Sequence, residues 1–288
     1  VSLVIRRARP QDVHDCGRIC HDAFAAVAIA HNFRPDLPDV EVAEGIVGMM
    51  LTHPEFFAVV AEQDGRIVGS NFLDERNSIS GVGPITIDPE VQNSGIGGRL
   101  MRAVMERSAA RGFPGIRLVQ AGYHARSLSL YLKLGFNVRE HLSCLQGPAI
   151  NQPIEGYVVR PATESGGADL AAGNALCERV HGHSRTGELR DAITQGVASV
   201  VERDGRITGY TTGIAFFGHA VAETTDDLKA LISAAQSIHG PGFLAPSSNG
   251  ELLRWCLANG LRIPHTMTLM SIGLYNEPAG AYLSSVTY

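Results

Sequence analysis

Polar and apolar positions along this chain follow two rhythms in turn. Residues 2–9 (SLVIRRAR) read as a strand, and Pro10-Gln11-Asp12 opens a helix to about Ala30 with Val13, Cys16, Cys20, Phe24 and Val27 on one stripe. A loop carrying Pro35 and Pro38 leads to a second helix near 40–51, where Val40, Ala43, Val47 and Met50 share a face. Two strands over 56–61 and 67–73, joined by the polar turn Gln63-Asp64-Gly65-Arg66, predict a hairpin. The next strand, 78–88, contains Gly81, Gly83 and Pro84. Proline cannot donate to a ladder, so pairing must break there or the strand must bulge. A helix to about Arg111, a turn at Gly112-Phe113-Pro114-Gly115, a short strand at 116–120 and a helix over 125–134 follow, the last closed by Gly135.

The chemistry concentrates in residues 83–101, GPITIDPEVQNSGIGGRLM. The alternation of Ile85 and Ile87 ends at Asp88-Pro89, a glycine-rich turn follows, and Ile96, Leu100, Val104 and Met105 then recur at helical spacing. A strand, a glycine turn and a helix start together present unpaired backbone N–H groups and the positive end of the helix dipole, which suits a phosphate. A P-loop would need Gly-Lys-Ser/Thr where Gly98-Arg99-Leu100 stands. A dinucleotide fingerprint would need glycine at Leu100. The segment Gln92-Asn93-Ser94-Gly95-Ile96-Gly97 instead fits Q/R-x-x-G-x-G/A.

On that turn the chain resembles the GCN5-related N-acetyltransferase (GNAT) superfamily, in which it grips the pyrophosphate of acetyl-coenzyme A. A second motif, 36 residues beyond Gly95, is Leu130-Tyr131-Leu132-Lys133-Leu134-Gly135-Phe136, close to the family's F/L-Y-x-K-L-G-F. The resemblance implies an α/β fold (α+β in some schemes) with a mixed, mostly antiparallel sheet that splays at a bulge and is flanked by helices. It implies that Tyr131 protonates the departing coenzyme sulfur, a role suited to a phenol that keeps its proton at pH 7. It places the coenzyme on Ile85, Thr86 and Ile87, on Gln92, Asn93, Ser94, Gly95, Ile96, Gly97, Gly98 and Arg99, and on His124, which stands where the family commonly has asparagine. A backbone N–H near Ile87 would polarise the thioester carbonyl. An attacking amine must lose a proton, and Asp74 and Glu75, before the bulge, are the nearest candidate bases by sequence; they read equally as solvated turn charges or as attracting a cationic substrate. Resemblance to larger tandem acetyltransferases implies a further source, a terminal carboxylate; the chain ends Tyr282-Leu283-Ser284-Ser285-Val286-Thr287-Tyr288.

The chain also repeats itself. Residues 62–69, EQDGRIVG, return at 202–209 as ERDGRITG, six of eight identical at an offset of 140. Val4-Ile5-Arg6 is echoed by Val158-Val159-Arg160, and Leu134–Val138 by Asn259–Ile263. Two domains are expected, 1–150 carrying the acetyl-CoA site and 156–288 a degenerate copy, joined by a Pro-containing seam. In the second copy the phosphate turn is replaced by Gly218-His219-Ala220-Val221-Ala222-Glu223-Thr224-Thr225-Asp226-Asp227, whose Thr-Thr-Asp-Asp start caps a helix with its own carboxylates and would repel a pyrophosphate. Cys256 falls opposite Tyr131.

The bulk properties narrow the reading further. With 288 residues, 44% hydrophobic and 18% charged, the chain can bury two cores. A net charge of −5 without basic runs argues against nucleic acid, and there is no apolar run of membrane length or signal-peptide pattern. Five cysteines without C-x-x-C read as reduced thiols of a cytoplasmic protein, with Cys16 and Cys20 in the core rather than on a metal. His181-Gly182-His183 lacks a third ligand and reads as a surface loop. No metal is expected. The expectation is an N-acetyltransferase acting on the primary amine of a small, cationic acceptor, bound between the helices over 24–50 and the segment 74–80, in a monomer or homodimer. An acyl-CoA-binding scaffold and a nucleotide-phosphate enzyme remain the alternatives.

Overall fold

The computed structural model describes residues 2–92 and 94–288, so Asn93 of the phosphate turn lies outside the described residues. The first half runs β1 (Leu3–Arg7), α1 (Val13–Ala30), α2 (Val40–Thr52), β2 (Phe56–Gln63), β3 (Arg66–Asp74), β4 (Ser80–Val82), β5 (Thr86–Ile87), α3 (Ile96–Ala110), β6 (Gly115–Ala121), α4 (Ala125–Lys133) and β7 (Asn137–Leu145). The second half repeats this order: β8 (Val158–Pro161), α5 (Ala168–His181), α6 (Thr186–Thr194), β9 (Ser199–Arg203), β10 (Arg206–Thr211), β11 (Ala220–Ala222), α7 (Thr225–Ala234), β12 (Phe243–Pro246), α8 (Gly250–Ala258) and β13 (Thr266–Gly273), followed by β14 (Ala281–Leu283).

The repeat in sequence is a repeat in detail. Both hairpins turn on Asp-Gly with positive φ, Asp64 at 50° and Gly65 at 82°, Asp204 at 53° and Gly205 at 73°, the pairing that matches strand twist. Arg6 bonds Glu62 and Asp12, both at 2.7 Å, and Arg160 bonds Glu202 at 2.8 Å and Asp169 at 2.7 Å. Each triad ties the first strand of its half to the hairpin and to the start of the first helix.

Among the described residues, mostly antiparallel pairing builds two sheets, one of nine strands and one of five, and they do not divide the chain at its seam. The larger runs β1-β2-β3-β4-β6-β13-β7-β12, with β5 paired to β3. Strand β13 of the second half inserts between β6 and β7 of the first, from Met267↔Ala121 to Gly273↔Gly115 on one side and Thr266↔Ser143 to Ser271↔Asn137 on the other. Strand β7 in turn pairs with β12 of the second half. The halves therefore exchange strands, and neither can leave the other without breaking backbone ladders. Helices cover both faces of the first-half sheet. Ile96, Leu100, Met101 and Val104 of α3 are buried in a cluster with Val59, Val68 and Leu118, while Cys16, Cys20, Ala43, Val47 and Met50 of α1 and α2 pack with Val60 and Phe72.

Candidate functional site

The breakers in 78–88 act as their chemistry requires. β4 pairs in parallel with β6 from Ser80↔Ile116 to Val82↔Leu118, and the pairing stops at Gly83-Pro84. Beyond it β5 pairs only with β3, through Ser70↔Thr86 and Gly69↔Ile87. The strands thus part like a V whose arms are β5 and the end of β6. Asp88 N donates to Val68 O at 3.0 Å. In antiparallel pairing, hydrogen-bonded pairs alternate with unbonded ones, so Ile87 turns its N–H and carbonyl away from β3, into the gap. Gln92 Nε2 donates to that carbonyl at 3.4 Å.

The glycine turn stands at the mouth of the V. Gly95, at φ 81°, is the left-handed residue that starts α3, a conformation costly for any residue with a Cβ. At Gly97 a Cβ would lie 3.0 Å from Ile87 Cδ1 and 3.4 Å from Leu130 Cδ2, so the helix start packs tightly against both β5 and α4. No acidic residue occupies the first turn of α3. Ser94 Oγ donates to Val91 O at 2.7 Å, Arg99 Nη2 to Leu3 O at 3.1 Å, and Arg126, at the start of α4, to Gln92 Oε1. The turn and the start of α4 are thereby linked, with the positive helix end and two guanidinium groups around them.

Tyr131 lies on α4 within the α3 cluster and is buried, edge-on to Phe136 at 6.1 Å between ring centroids. Burial pushes its phenol up to about 12, so it holds its proton at neutral pH. His124, just before α4, bonds Ser127 Oγ at 2.7 Å; burial, Arg126 and His31 hold it down at about 4, so the ring is neutral.

Asp74 and Glu75 are placed differently from the expectation. Asp74 sits opposite Gly81, at the closed end of the V. It is four residues along β3 from Ser70, hence about 13 Å at strand rise. Arg76 grips its carboxylate through Nε and Nη2 and reaches Asp191 of α6 at 3.0 Å. Glu75 is held by Arg107 at 2.7 and 2.9 Å. Both carboxylates are committed to guanidinium partners away from the opening, and a base role does not suit them. The segment 74–80 belongs to the seam between halves: Ser78 Oγ donates to Ser184 O at 2.8 Å, and Glu188 N donates to Asn77 Oδ1 at 3.2 Å.

An aromatic wall that sequence reasoning missed stands beyond the end of β6. Phe33, in the loop after α1, stacks on Tyr123 at 4.3 Å, His31 tilts against Tyr123 at 5.3 Å, and His265, preceding β13, meets the Tyr123 and Phe33 rings edge-on at 6.2 and 6.1 Å. Asp36, on the same loop, interacts with His265: burial raises the carboxyl and His265 lowers it, while burial lowers the imidazole and Asp36 raises it. Nothing local in the sequence joins residue 33 to residue 265; the insertion of β13 does.

The second half keeps the frame and loses the opening. Its V, between β11 and β12, is occupied by β14, paired with β11 from Ala220↔Leu283 to Ala222↔Ala281 and bridged to β12 at Leu244↔Ser284. Helix α7 starts with the expected capping box: Asp227 N donates to Thr224 Oγ1 and Thr224 N donates to Asp227 Oδ2 at 2.9 Å. Cys256 is buried in α8. His181 and His183, expected on a surface loop, are instead buried between the halves, because α5 ends against the seam.

Residues 42–138 match the family described as Acetyltransferase (GNAT) domain. That match lies wholly within the first half of the chain. The whole chain shares its fold with two solved structures. One is a proposed acetyltransferase from Pyrococcus horikoshii, 18% identical over 97% of this chain and 94% of that one, with a TM-score of 0.72. The other is a GCN5-related N-acetyltransferase from Sphaerobacter thermophilus, 16% identical over 96% of each, with a TM-score of 0.61. No curated protein matches the chain. The match over residues 42–138 supports acyl-CoA-dependent acetyl transfer as the general chemistry. Among the described residues, no helix is long and apolar enough to cross a membrane and no group of His, Cys, Asp or Glu is arranged to hold a metal ion.

Proposed function

We propose that the GNAT half is an N-acetyltransferase that moves an acetyl group from acetyl-CoA to the primary amine of a small acceptor by direct attack on the thioester. What supports this reading is the left-handed Gly95 at an acid-free helix start, the Ile87 N–H turned away from β3, and the buried, protonated Tyr131 on the helix that packs against that start. The pyrophosphate would lie on the N–H groups from Ser94 to Arg99, with the pantetheine arm entering between β5 and β6. The thioester carbonyl would accept from Ile87 N–H as negative charge develops. The amine nitrogen attacks the carbonyl carbon, the C–S bond breaks, and Tyr131 gives its proton to the sulfur.

The acceptor would approach over the aromatic wall of Phe33, Tyr123 and His265. There Asp36, with its pKa raised by burial and its charge shared with His265, takes the amine's proton. The second half thus supplies one wall of the acceptor site and no coenzyme site.

The test is calorimetric titration of acetyl-CoA, followed by coenzyme A release with a panel of small amines. One site per chain and amine-dependent thiol release are expected. Binding without release for any amine would leave an acyl-CoA-binding scaffold, and competition by ATP in place of coenzyme A would point to a nucleotide enzyme.

A further inference from the structure

Between the halves lies a cavity of about 10 Å³ lined by Arg117 of β6 and by His181, His219, Tyr275, Tyr282, Ser284 and Tyr288 among others. Arg117 is 2% exposed. Its Nη1 donates to Tyr288 Oη, while its Nε and Nη2 are buried and have no hydrogen-bond partner. The Tyr288 and Tyr275 rings face the guanidinium at 4.4 and 5.1 Å. His181 Nε2 and His219 Nδ1 line the same cavity and are likewise buried and unpartnered.

The charges around it do not balance. Arg185, the second buried guanidinium, is paired with Glu188 through Nε at 2.8 Å and Nη2. Arg117 has no carboxylate in any ion pair among the described residues, and the groups that act on its charge are three tyrosines and Arg185. His183 accepts at Nε2 from Tyr288 Oη at 2.8 Å and donates from Nδ1 toward Ser184 O, so it stands as a neutral ring. An arginine remains charged inside proteins. Burying one without a counter-charge costs several kcal/mol. Aromatic faces offset part of that, but they leave two guanidinium nitrogens unsatisfied.

We infer that this cavity is a halide site, in which one chloride ion accepts from Arg117 Nε–H and Nη2–H and from the ring N–H groups of His181 and His219. The size of the cavity selects the ligand class. A space of about 10 Å³ is on the scale of one water-sized sphere, too small for acetate, phosphate or a metabolite carboxylate; a chloride ion, slightly larger than water, enters once the lining gives by a few tenths of an ångström. The charge of Arg117 and its two unpartnered N–H groups call for an anion, since a neutral water would satisfy the donors but leave the charge uncompensated. Because Arg117 comes from the first half and the histidines and tyrosines from the second, the ion would fasten the strand-exchanged halves together.

The experiment uses the intact chain. Thermal unfolding is followed at constant ionic strength while chloride replaces gluconate, an anion too large for the cavity. A bound halide raises Tm by about 2–4 °C once chloride is some tenfold above its Kd, and Arg117→Met removes the dependence. As that variant can fail to fold, crystals of the unaltered protein grown in bromide supply the second readout. An anomalous bromine peak beside Arg117 Nε and Nη2 supports the site. Equal Tm in chloride and gluconate, or a cavity without anomalous signal, would overturn it and leave a water there.

Discussion

The two helix starts that face the two V positions hold matching places in the order of elements and present opposite charge. α3 opens on a left-handed glycine, has no acid in its first turn, and leaves its backbone N–H groups directed at a gap between strands. α7 opens on Thr224, closes its N–H groups with Asp227, adds Asp226, and faces a gap that β14 fills. The hairpins, the arginine–carboxylate triads and the order of elements match between the halves. The difference therefore lies in the ligand position and not in the scaffold. A fold keeps its framework while its site changes by a handful of residues.

The largest contrast expected is chemical. Tyr131→Phe removes a proton donor from a buried position without changing its shape, so kcat falls by about 10²–10⁴-fold. The KM for acetyl-CoA stays within a few-fold, since the phenol acts as the thiolate leaves. The corresponding change at Cys256, to Ser, leaves kcat unaltered. A steady-state comparison of the two variants with the parent decides whether only one half reacts.

Next in size is coenzyme affinity. Gly95→Glu forces a side chain into φ 81° and sets a carboxylate at the helix end, imitating α7. Affinity for acetyl-CoA is expected to fall at least 100-fold by calorimetry, and the helix content to stay unchanged by circular dichroism. Parent-like affinity would show that the pyrophosphate lies elsewhere.

The turns and breaks were readable because local chemistry dictates them. The left-handed Gly95, the interrupting Pro84 and the Asp-Gly hairpins each require a residue type at a spacing, and the structure has the corresponding breaks and turns. The element order followed from hydrophobic periodicity for the same reason. What stayed hidden depends on contacts across more than 100 residues. That β13 enters the first-half sheet, that His265 reaches Phe33, and that Arg76, which holds Asp74, also reaches Asp191 of the second half are not written in any local stretch. A period in the sequence announces two copies of a unit but carries no mark of which copy's strand pairs where. The histidines of 181–183 misled for the same reason, their burial being decided by the other half.

A smaller effect separates the two helix caps. In Asp227→Ala, the Thr224 N–H and the hydroxyls of Thr208 and Thr224 lose their carboxylate acceptor. Capping losses and unsatisfied buried groups of this kind cost about 1–3 kcal/mol, which denaturant unfolding would resolve. Because β14 still closes the gap, calorimetry should continue to find one acetyl-CoA per chain. A second site in this variant would mean that the acids alone, and not the inserted strand, had silenced the second half.

The smallest effect concerns the triads that the halves share. Hydrogen bonds from Arg160, outweighing burial and joined by Thr163 N–H, hold Asp169 at about 2, below the ordinary carboxylate value. At Asp12 burial pushes upward more strongly, yet the bonds from Arg6 and Arg9 N–H still leave it lowered. A carboxyl whose folded pKa is depressed binds protons more readily when unfolded, so its contribution is whole above about pH 4 and is lost as pH falls toward the folded value. Both triads therefore weaken the protein in acid, and the second-half triad does so over the window from about pH 4 to about pH 2. Asp169→Asn should flatten the acid limb of a stability–pH curve by at most one proton. Asp12→Asn should flatten it by a smaller amount, because opposing burial leaves less of a shift to lose. Equal changes would mean that the duplicated triads kept the same energetics as well as the same geometry. No change in either would assign the acid limb to other groups, and the triads would then matter for placing the first strand and first helix of each half rather than for stability.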